Sequence, residues 1–587
     1  MKAFLKWIAI LIAVLIILVL VLPFVINVNT FRPRIEAELS NALGRQVTVG
    51  KLSLSLWSGS LAADKIEIAD DPSFSQASFI RAEALNVGVN MLPLILSKTL
   101  EIREITLTRP QVSLLRTADG KWNFSSIGSK GSEKAPVAPS TAQPAETDRS
   151  ARKSEGKPSP EEKEATPSSP ASSPEQKSTS EQSLEQNLSV EKLNIRSGQI
   201  SVANTNAPGH AQIYRNVELT VTNFSFTSQF PFTLTADLPG GGNTKVEGQG
   251  GPINRNDASM TPLEAKISVN QLDLAKSGFV DPASGIAGVA NFAGTLESDG
   301  TQARSSGDAS GNHLKLSPKG TPAPREIKMK YQTTYELQKQ SGQLHGDVSV
   351  VRATAKLAGT YDLHGAEAML NMKLNADNMP VDDLETLLPA LGVTLPKGSS
   401  LQGGTLSADL SINGPVNQLI MAGPVKLADT KLAGFDMGSK LSTISALSGA
   451  KTGQDTSIQN FSSNVRYSPS GIQTENVNLT IPALGTLTGT GTISPQNELN
   501  YKMMAKLNGS VVGGLSKLAG LNASNAGIPF FIQGSASDPK FVPDVKGVLN
   551  SELGGQLKQR LGSQIPGGQN AQGVVDSITG LFGKKKK

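Results

Sequence analysis

The side chains that could do chemistry in this chain are few and far apart. Its four histidines, His210, His313, His345 and His364, are scattered over about 150 residues in strand or turn contexts, so a metal site or a catalytic triad would need the fold to gather them. Cysteine is absent, which removes disulfide frameworks, thiolate zinc sites and cysteine nucleophiles together. Spacings fixed by mechanism are also missing: no Gly-x-x-x-x-Gly-Lys-Ser/Thr loop for phosphates, no Gly-x-Ser-x-Gly elbow, no Gly-x-Gly-x-x-Gly turn and no His-Glu-x-x-His helix. Two acidic pairs could serve acid–base work. Asp70-Asp71 stands where a strand ends before Pro72, and Asp382-Asp383 falls in the first turn of a predicted helix, where carboxylates favour the dipole; both read as structural. No catalytic residue, metal ligand or cofactor is assigned, and the chain is expected not to be an enzyme.

The elements that would have to position any site are mostly strands. Apolar residues make up 38% of the 587, aromatics 5% and charged residues 18%, a balance suited to extended β-structure more than to a compact helical enzyme. Period-two alternation recurs at Val47 and Val49, Leu52, Leu54 and Leu56, Ile66 and Ile68, Leu85, Val87 and Val89, Ile102, Ile105 and Leu107, and Val112 and Leu114. It resumes at Leu193 and Ile195, Ile200 and Val202, and Leu219 and Val221, and persists to about residue 549. The pattern predicts half-buried antiparallel strands in serial hairpins. Short helices are predicted at Pro33 to Leu43, Val381 to Leu391 and Met437 to Leu447, and two more in the last stretch, around Leu553, Leu557 and Leu561 and around Val574 to Phe582.

Ahead of this β body lies one apolar span, Trp7 to Val28, with no charge between Lys6 and Arg32. About 22 residues at 1.5 Å each cross a hydrocarbon core of about 30 Å. The run is longer than a secretory signal's apolar region and Phe-Val-Ile-Asn-Val-Asn offers no small-residue cleavage site, so it reads as an uncleaved anchor. The flanking lysines and arginines do not settle its orientation.

Between the β regions, residues 129–188 turn to Pro, Ser, Ala, Glu and Lys and cannot bury enough surface to offset their ordering entropy. This linker either separates two β regions or loops out between them. The expected layout is an anchor at 1–30, an N-terminal β region at 31–128, the linker at 129–188, a C-terminal β region at 189–550 and amphipathic helices with a lysine tail at 551–587. The net charge of +5 owes much to Lys584, Lys585, Lys586 and Lys587, and no basic stripe with interleaved aromatics points to nucleic acid.

The order of these parts resembles the AsmA family of envelope proteins. The resemblance is carried by Asn41-Ala42-Leu43-Gly44-Arg45-Gln46-Val47, the strand pair through Leu52-Ser53-Leu54-Ser55-Leu56-Trp57, Leu85-Asn86-Val87-Gly88-Val89, Thr106 to Val112, and Asp119-Gly120-Lys121-Trp122-Asn123-Phe124. Leu401 to Leu410 and Ile528 to Gly534 extend it to nearly the whole chain except the linker. The resemblance implies an inner-membrane protein of a diderm bacterium with its body in the periplasm and a role in outer-membrane biogenesis. It also implies kinship with bridge-like lipid-transfer proteins, whose elongated, twisted sheet forms a trough for phospholipid.

A sheet with period-two alternation has an apolar face that another layer, closure or a ligand must cover. The candidates for trough lining are Leu52, Leu54, Leu56, Leu85, Val87, Val89, Ile105 and Leu107, then Leu193, Ile195, Leu219, Val221, Leu406, Leu410 and Ile412. An ordinary sealed core is the competing reading of the same residues. Lys584 to Lys587 either dock on an anionic leaflet or form a solvated end. Three function classes stand: a conduit handling membrane phospholipids, an assembly scaffold acting through outer-membrane or periplasmic proteins, and, least favoured, an anchored enzyme.

Overall fold

The computed structural model describes residues 28–55, 59–90, 102–127, 189–205, 211–365, 367–442, 444, 453–508, 527–551 and 555. The apolar span up to Ile26, Leu56, the 129–188 linker, the C-terminal helices and Lys584 to Lys587 lie outside the described residues. Among the described residues no helix is long and apolar enough to cross a membrane.

Mainly β-structure is present, as 28 strands in one open sheet. The first eight are β1 (Val47–Val49), β2 (Leu52–Ser55), β3 (Ser60–Ala63), β4 (Ile66–Ala69), β5 (Ser78–Ala82), β6 (Ala84–Val89), β7 (Ile102–Thr108) and β8 (Gln111–Arg116). Long strands follow: β9 (Ser189–Asn204), β10 (Gln212–Ser225), β11 (Phe230–Asp237), β12 (Asn243–Gly250), β13 (Leu263–Asp273), β14 (Ala287–Ser298), β15 (Gln302–Lys315) and β16 (Ile327–Glu336). The meander continues through β17 (Ser341–Val350), β18 (Ala353–Asp362), β19 (Met369–Pro380), β20 (Ser400–Gln402), β21 (Thr405–Pro415) and β22 (Ile420–Ala433). It ends with β23 (Thr456–Ser468), β24 (Gly471–Ile481), β25 (Gly485–Ile493), β26 (Glu498–Leu507), β27 (Ile528–Ser535) and β28 (Asp538–Pro543).

Successive strands pair antiparallel, and five pairs are collinear halves of one row. β1 and β2 pair with β4 and β3, which pair with β5 and β6, which pair with β8 and β7; β20 extends β21 along β22. The 28 strands therefore make 23 rows, on the order of 100 Å along the sheet at about 4.8 Å per row. One junction is parallel: β9 runs alongside β7 and then β8. Parallel neighbours need a connection that returns the length of the strand, and the chain supplies it between Ile127 and Ser189. The two β regions thus join edge to edge in one sheet.

A line of irregularities crosses the first six rows at one level: the breaks at Gly50, Asp64 and Glu83, and the positive φ angles of Arg109 (46°), Ser197 (53°) and Asn216 (48°). Each inserts a residue, so Leu193 and Ile195 before the bulge and Ile200 and Val202 after it share a face despite opposite parity. Bulges also bend the strand and raise its twist. Further along, Gln271, His313, Asn378, Asp429 and Asn476 carry positive φ in the same way.

Helices sit only at the margins: α1 (Arg32–Leu43) on β1, α2 (Val381–Glu385) on β19 and β20, α3 (Met437–Leu441) beside β28 and α4 (Val545–Leu549) on β27. The predicted helix over Val381 to Leu391 is one turn long, because Pro389 has no N–H to continue it and residues 386–392 close as tight turns instead. The helix expected from Met437 ends at Leu441.

The first edge of the sheet is closed by side chains rather than by another strand. Asn29 Oδ1 accepts from the Leu52 N–H at 2.8 Å, Glu36 Oε1 from Val49 at 2.7 Å and Ser40 Oγ from Val47 at 2.9 Å. The Val49 amide, helped by Arg32, holds the Glu36 carboxyl below its ordinary range. A depressed carboxyl contributes stability above its unfolded pKa and loses it as pH falls through the folded value. Acidification through the carboxylate range is therefore expected to speed hydrogen exchange at Val49, and Glu36→Gln to give that faster exchange already at neutral pH.

Candidate functional site

Register places six of the predicted lining residues on one row and six on the row beside it. Leu54 lies opposite Leu61, then Val87, Ile105, Leu193 and Val221 follow on successive strands. The same row continues without a break through Phe232, Gly248, Ala265, Leu296, Ser305 and Thr333. It runs on through Leu344, Gly359, Met372, Ile412, Met421 and Tyr467, and ends with Ile472, Ile493, Leu499, Gly534 and Pro539. No ionisable group other than a tyrosine stands at any of its 23 positions. A parallel row holds Leu52, Leu85, Leu107, Ile195, Leu219 and, beyond Leu234, Ile267, Leu357 and Leu374, Leu410. Leu406 belongs to a third, between Met379 and Leu427. Val89 stands at the margin, opposite Ile102, which faces Val190.

The two faces differ sharply in the middle strands. In β15 to β18 one face carries Ser305, Gly307, Met329, Tyr331, Leu344, Val348 and Leu357, all half-buried, while their neighbours Arg304, Asp308, Lys330, Gln343, Asp347 and Lys356 are exposed. Half-burial is the informative observation, because a sealed core would bring these side chains close to zero exposure. Sealing does occur at the ends. Val28, Ile35, Leu39 and Leu43 pack on Val47, Val49 and Leu52. At the other end Leu441, Ile444, Ile481, Leu484, Phe530 and Val548 are fully buried in one cluster. Between them a smaller cluster, Ala353, Ala355, Ala376, Met379 and Ala408, is buried beside Leu384 of α2, Leu406 and Leu410, and no helix makes extensive contact with β11 to β17 among the described residues.

The sheet coils enough for opposite rims to meet. At a twist of about 20–25° per strand, direction turns half over in about eight rows. Arg116, where β8 ends on one rim, donates to Gln340 Oε1 at 2.8 Å in the β16–β17 turn on the other. Gln340 is 2% exposed, and Gly120, with φ +84°, has no room for a Cβ, which would come within 2.5 Å of the Gln340 amide. Nearby, Ser125 O accepts from the Ala258 N–H at 3.3 Å and Ser125 Oγ lies 3.4 Å from Ser259 Oγ. A second closure joins Lys397 N to Ser537 O at 2.8 Å, with Lys440 3.5 Å from Asp538. Since the chain has no cysteine, Ser125→Cys with Ser259→Cys gives an unambiguous check. Oxidation is expected to join the pair nearly completely; two free, reagent-accessible thiols would show that the rims stay apart in solution.

Groups of the opposite character gather on the outer face. A cleft of about 330 Å³ is lined by Thr295, Glu297, Arg304, Gln332, Gln343 and His345, and a second of about 450 Å³ adjoins it at Glu297 and Arg304. The other described histidines, His313 and His364, lie elsewhere, and no group of three His, Asp or Glu able to hold a metal occurs among the described residues. Asp70 sits in a buried ion pair with Arg45 at 3.2 Å, and Asp383 pairs with the exposed Arg352 side chain at 3.1 Å, so both acidic pairs serve the fold.

Sequence patterning missed the middle of the row. Leu296 and Leu344 are not among the predicted lining residues, because β12 to β18 alternate small with charged residues rather than large apolar with polar. Ala303-Arg304-Ser305-Ser306-Gly307-Asp308-Ala309 shows it: the charged positions mark the outer face, and that signal is readable without bulky partners.

Comparison with known families matches the chain to the AsmA family over residues 1–399. Nothing among curated proteins or solved structures matches. The family match stops one residue before β20, while the apolar row runs on through eight more strands, β21 to β28.

Proposed function

The chain belongs to the AsmA family, and on that premise we propose that it handles phospholipid along the apolar face of its sheet as a membrane-anchored envelope protein. In this reading Trp7 to Val28 crosses the inner membrane and the sheet stands in the periplasm as a trough. The observation that carries it is the unbroken row from Leu54 to Pro539, half-buried from Leu296 to Gly359 and, among the described residues, covered there by no second layer. Each CH₂ kept from water is worth about 0.8 kcal/mol, so a continuous apolar wall lowers the barrier to moving a diacyl lipid through an aqueous space without any bond being made. Asn29 ties the residue next to the anchor directly to β2, which holds the first row at the membrane where lipid would enter. The rim contacts would keep the trough from flattening.

Photo-crosslinking residues at Val87, Leu344 and Ile472, with Asn86, Gln343 and Gln473 as outer-face controls, test the proposal in cells. Lipid adducts confined to the first three are expected; their absence at all three overturns it. A scaffold acting through protein partners is the second reading. It draws on the sealed C-terminal cluster and on β28, an edge strand paired on one side only, with Val542 38% exposed.

A further inference from the structure

All six tyrosines of the chain lie on the apolar face: Tyr214 opposite Ile200, Tyr467 opposite Met421, Tyr501 opposite Ile532, and Tyr331, Tyr335 and Tyr361 together in the middle. Strand preference alone would distribute tyrosine over both faces. The middle three form a band with Ser305 and Thr333. Tyr331 and Ser305 hydroxyls are 2.8 Å apart, Tyr361 and Thr333 hydroxyls 2.9 Å apart, and the Tyr335 and Tyr361 rings stack in parallel 6.1 Å apart across Gly342. Gly342 is required there, since a Cβ would come within 2.5 Å of the Tyr361 ring.

Counting protons shows what the band offers. Thr333 gives its proton to the Gln343 carbonyl at 2.7 Å, so Tyr361 donates to Thr333 and is spent. The Tyr331–Ser305 pair holds two protons and uses one. The Tyr335 hydroxyl has no partner among the described residues. Two hydroxyl donors are therefore left over on a face with apolar neighbours on either side, Leu296 and Leu344. Burial pushes the Tyr331 phenol up, which keeps it protonated. No lysine or arginine stands on this stretch of the face, the nearest, Arg304 and Lys330, facing outward.

We propose that Tyr331, Ser305 and Tyr335 form a discrete subsite for the uncharged ester oxygens of a diacyl lipid, dividing the apolar row into two sectors that each take acyl chains. Neutral donors without a cation suit a carbonyl rather than a phosphate, and the donor set sits where acyl chains on both sides would meet their glycerol. This rests on the lipid-handling reading and adds to it a preferred stopping point and a chemical preference.

The experiment uses the full chain in detergent and two photoreactive phospholipids of identical headgroup and chain length, one ester-linked and one ether-linked. Two hydrogen bonds of ordinary strength are expected to favour the ester lipid about five- to tenfold in the unaltered chain. Tyr331→Phe with Tyr335→Phe keeps the rings and the packing but leaves the Ser305 hydroxyl as one donor, and is expected to cut the preference to about two- to threefold. Equal labelling of the unaltered chain by both lipids, or an ester preference undiminished in the double variant, overturns the subsite while leaving lipid handling intact. Failure of both lipids to label the unaltered chain overturns both. The double variant's circular dichroism and thermal midpoint, expected to be unchanged, show that reduced preference is not lost folding; a collapsed fold moves the test to Tyr335→Phe alone.

Discussion

Arg45→Ala is expected to destabilise the first six rows by about 3–5 kcal/mol, the cost of leaving a buried charge without its partner. Arg45 is 6% exposed, Asp70 4% and Asn123 fully buried. The guanidinium reaches Asp70 Oδ1 at 3.2 Å, the Asn123 carbonyl at 2.6 Å and Ser126 Oγ at 2.8 Å, while Asn123 Nδ2 donates to Asp70 Oδ2 at 2.9 Å. One side chain therefore holds the loop after α1, the end of β4 and the 117–127 segment in a single buried network. Alanine removes three hydrogen bonds and strands a carboxylate. Lysine is not a substitute, because its single ammonium cannot reach three acceptors in a fixed fork. Hydrogen exchange gives the readout: residues 45–127 should exchange two to three orders of magnitude faster, at about 1.4 kcal/mol per tenfold, with β21 to β28 unaffected. The Arg116–Gln340 closure should loosen with them, since the 117–127 segment carries it. Unchanged exchange at Asn123 would show that the network contributes nothing.

That network also marks what could be read from the sequence. Arg45 and Asn123 both stand in the short stretches that carried the family resemblance, yet nothing in a linear sequence says that residues 78 apart share a buried hydrogen bond. Alternation was legible because period two is imposed by the strand itself: Leu85, Val87, Ile105 and Leu107 face one way for that reason. The single sheet was not legible, since it depends on the parallel junction of β9 with β7 and β8 across a segment with no pattern of its own. Nor were the bulges, each a single residue such as Ser197 or Asn216 whose φ only tertiary context fixes. The tyrosine band escaped for another reason. Tyr331 and Tyr335 look like ordinary strand residues until register sets Tyr331 beside Ser305, 26 residues earlier in the chain, and Tyr335 beside Gly342 and Tyr361.

Leu344→Asp is expected to abolish lipid passage while leaving the protein folded, and Gln343→Asp, one residue away, to do neither. Leu344 sits mid-row between Thr333 and Gly359 on the half-buried face; Gln343 points outward. A carboxylate in a sealed core would cost several kcal/mol of folding free energy, but on an open face it stays hydrated and the fold bears little of it. The cost falls instead on an acyl chain that must pass a hydrated anion. Several kcal/mol at that one step corresponds to at least a tenfold, and more nearly a hundredfold, loss of rate. Lipid adducts at Val87 and at Ile472, on either side of the block, measure it directly: labelling should persist on the side where lipid enters and disappear beyond. Which side goes dark reports the direction of movement. If Leu344→Asp instead unfolds the chain, the face is a closed core and the conduit reading fails; if labelling persists on both sides of a folded variant, lipid does not travel along this row.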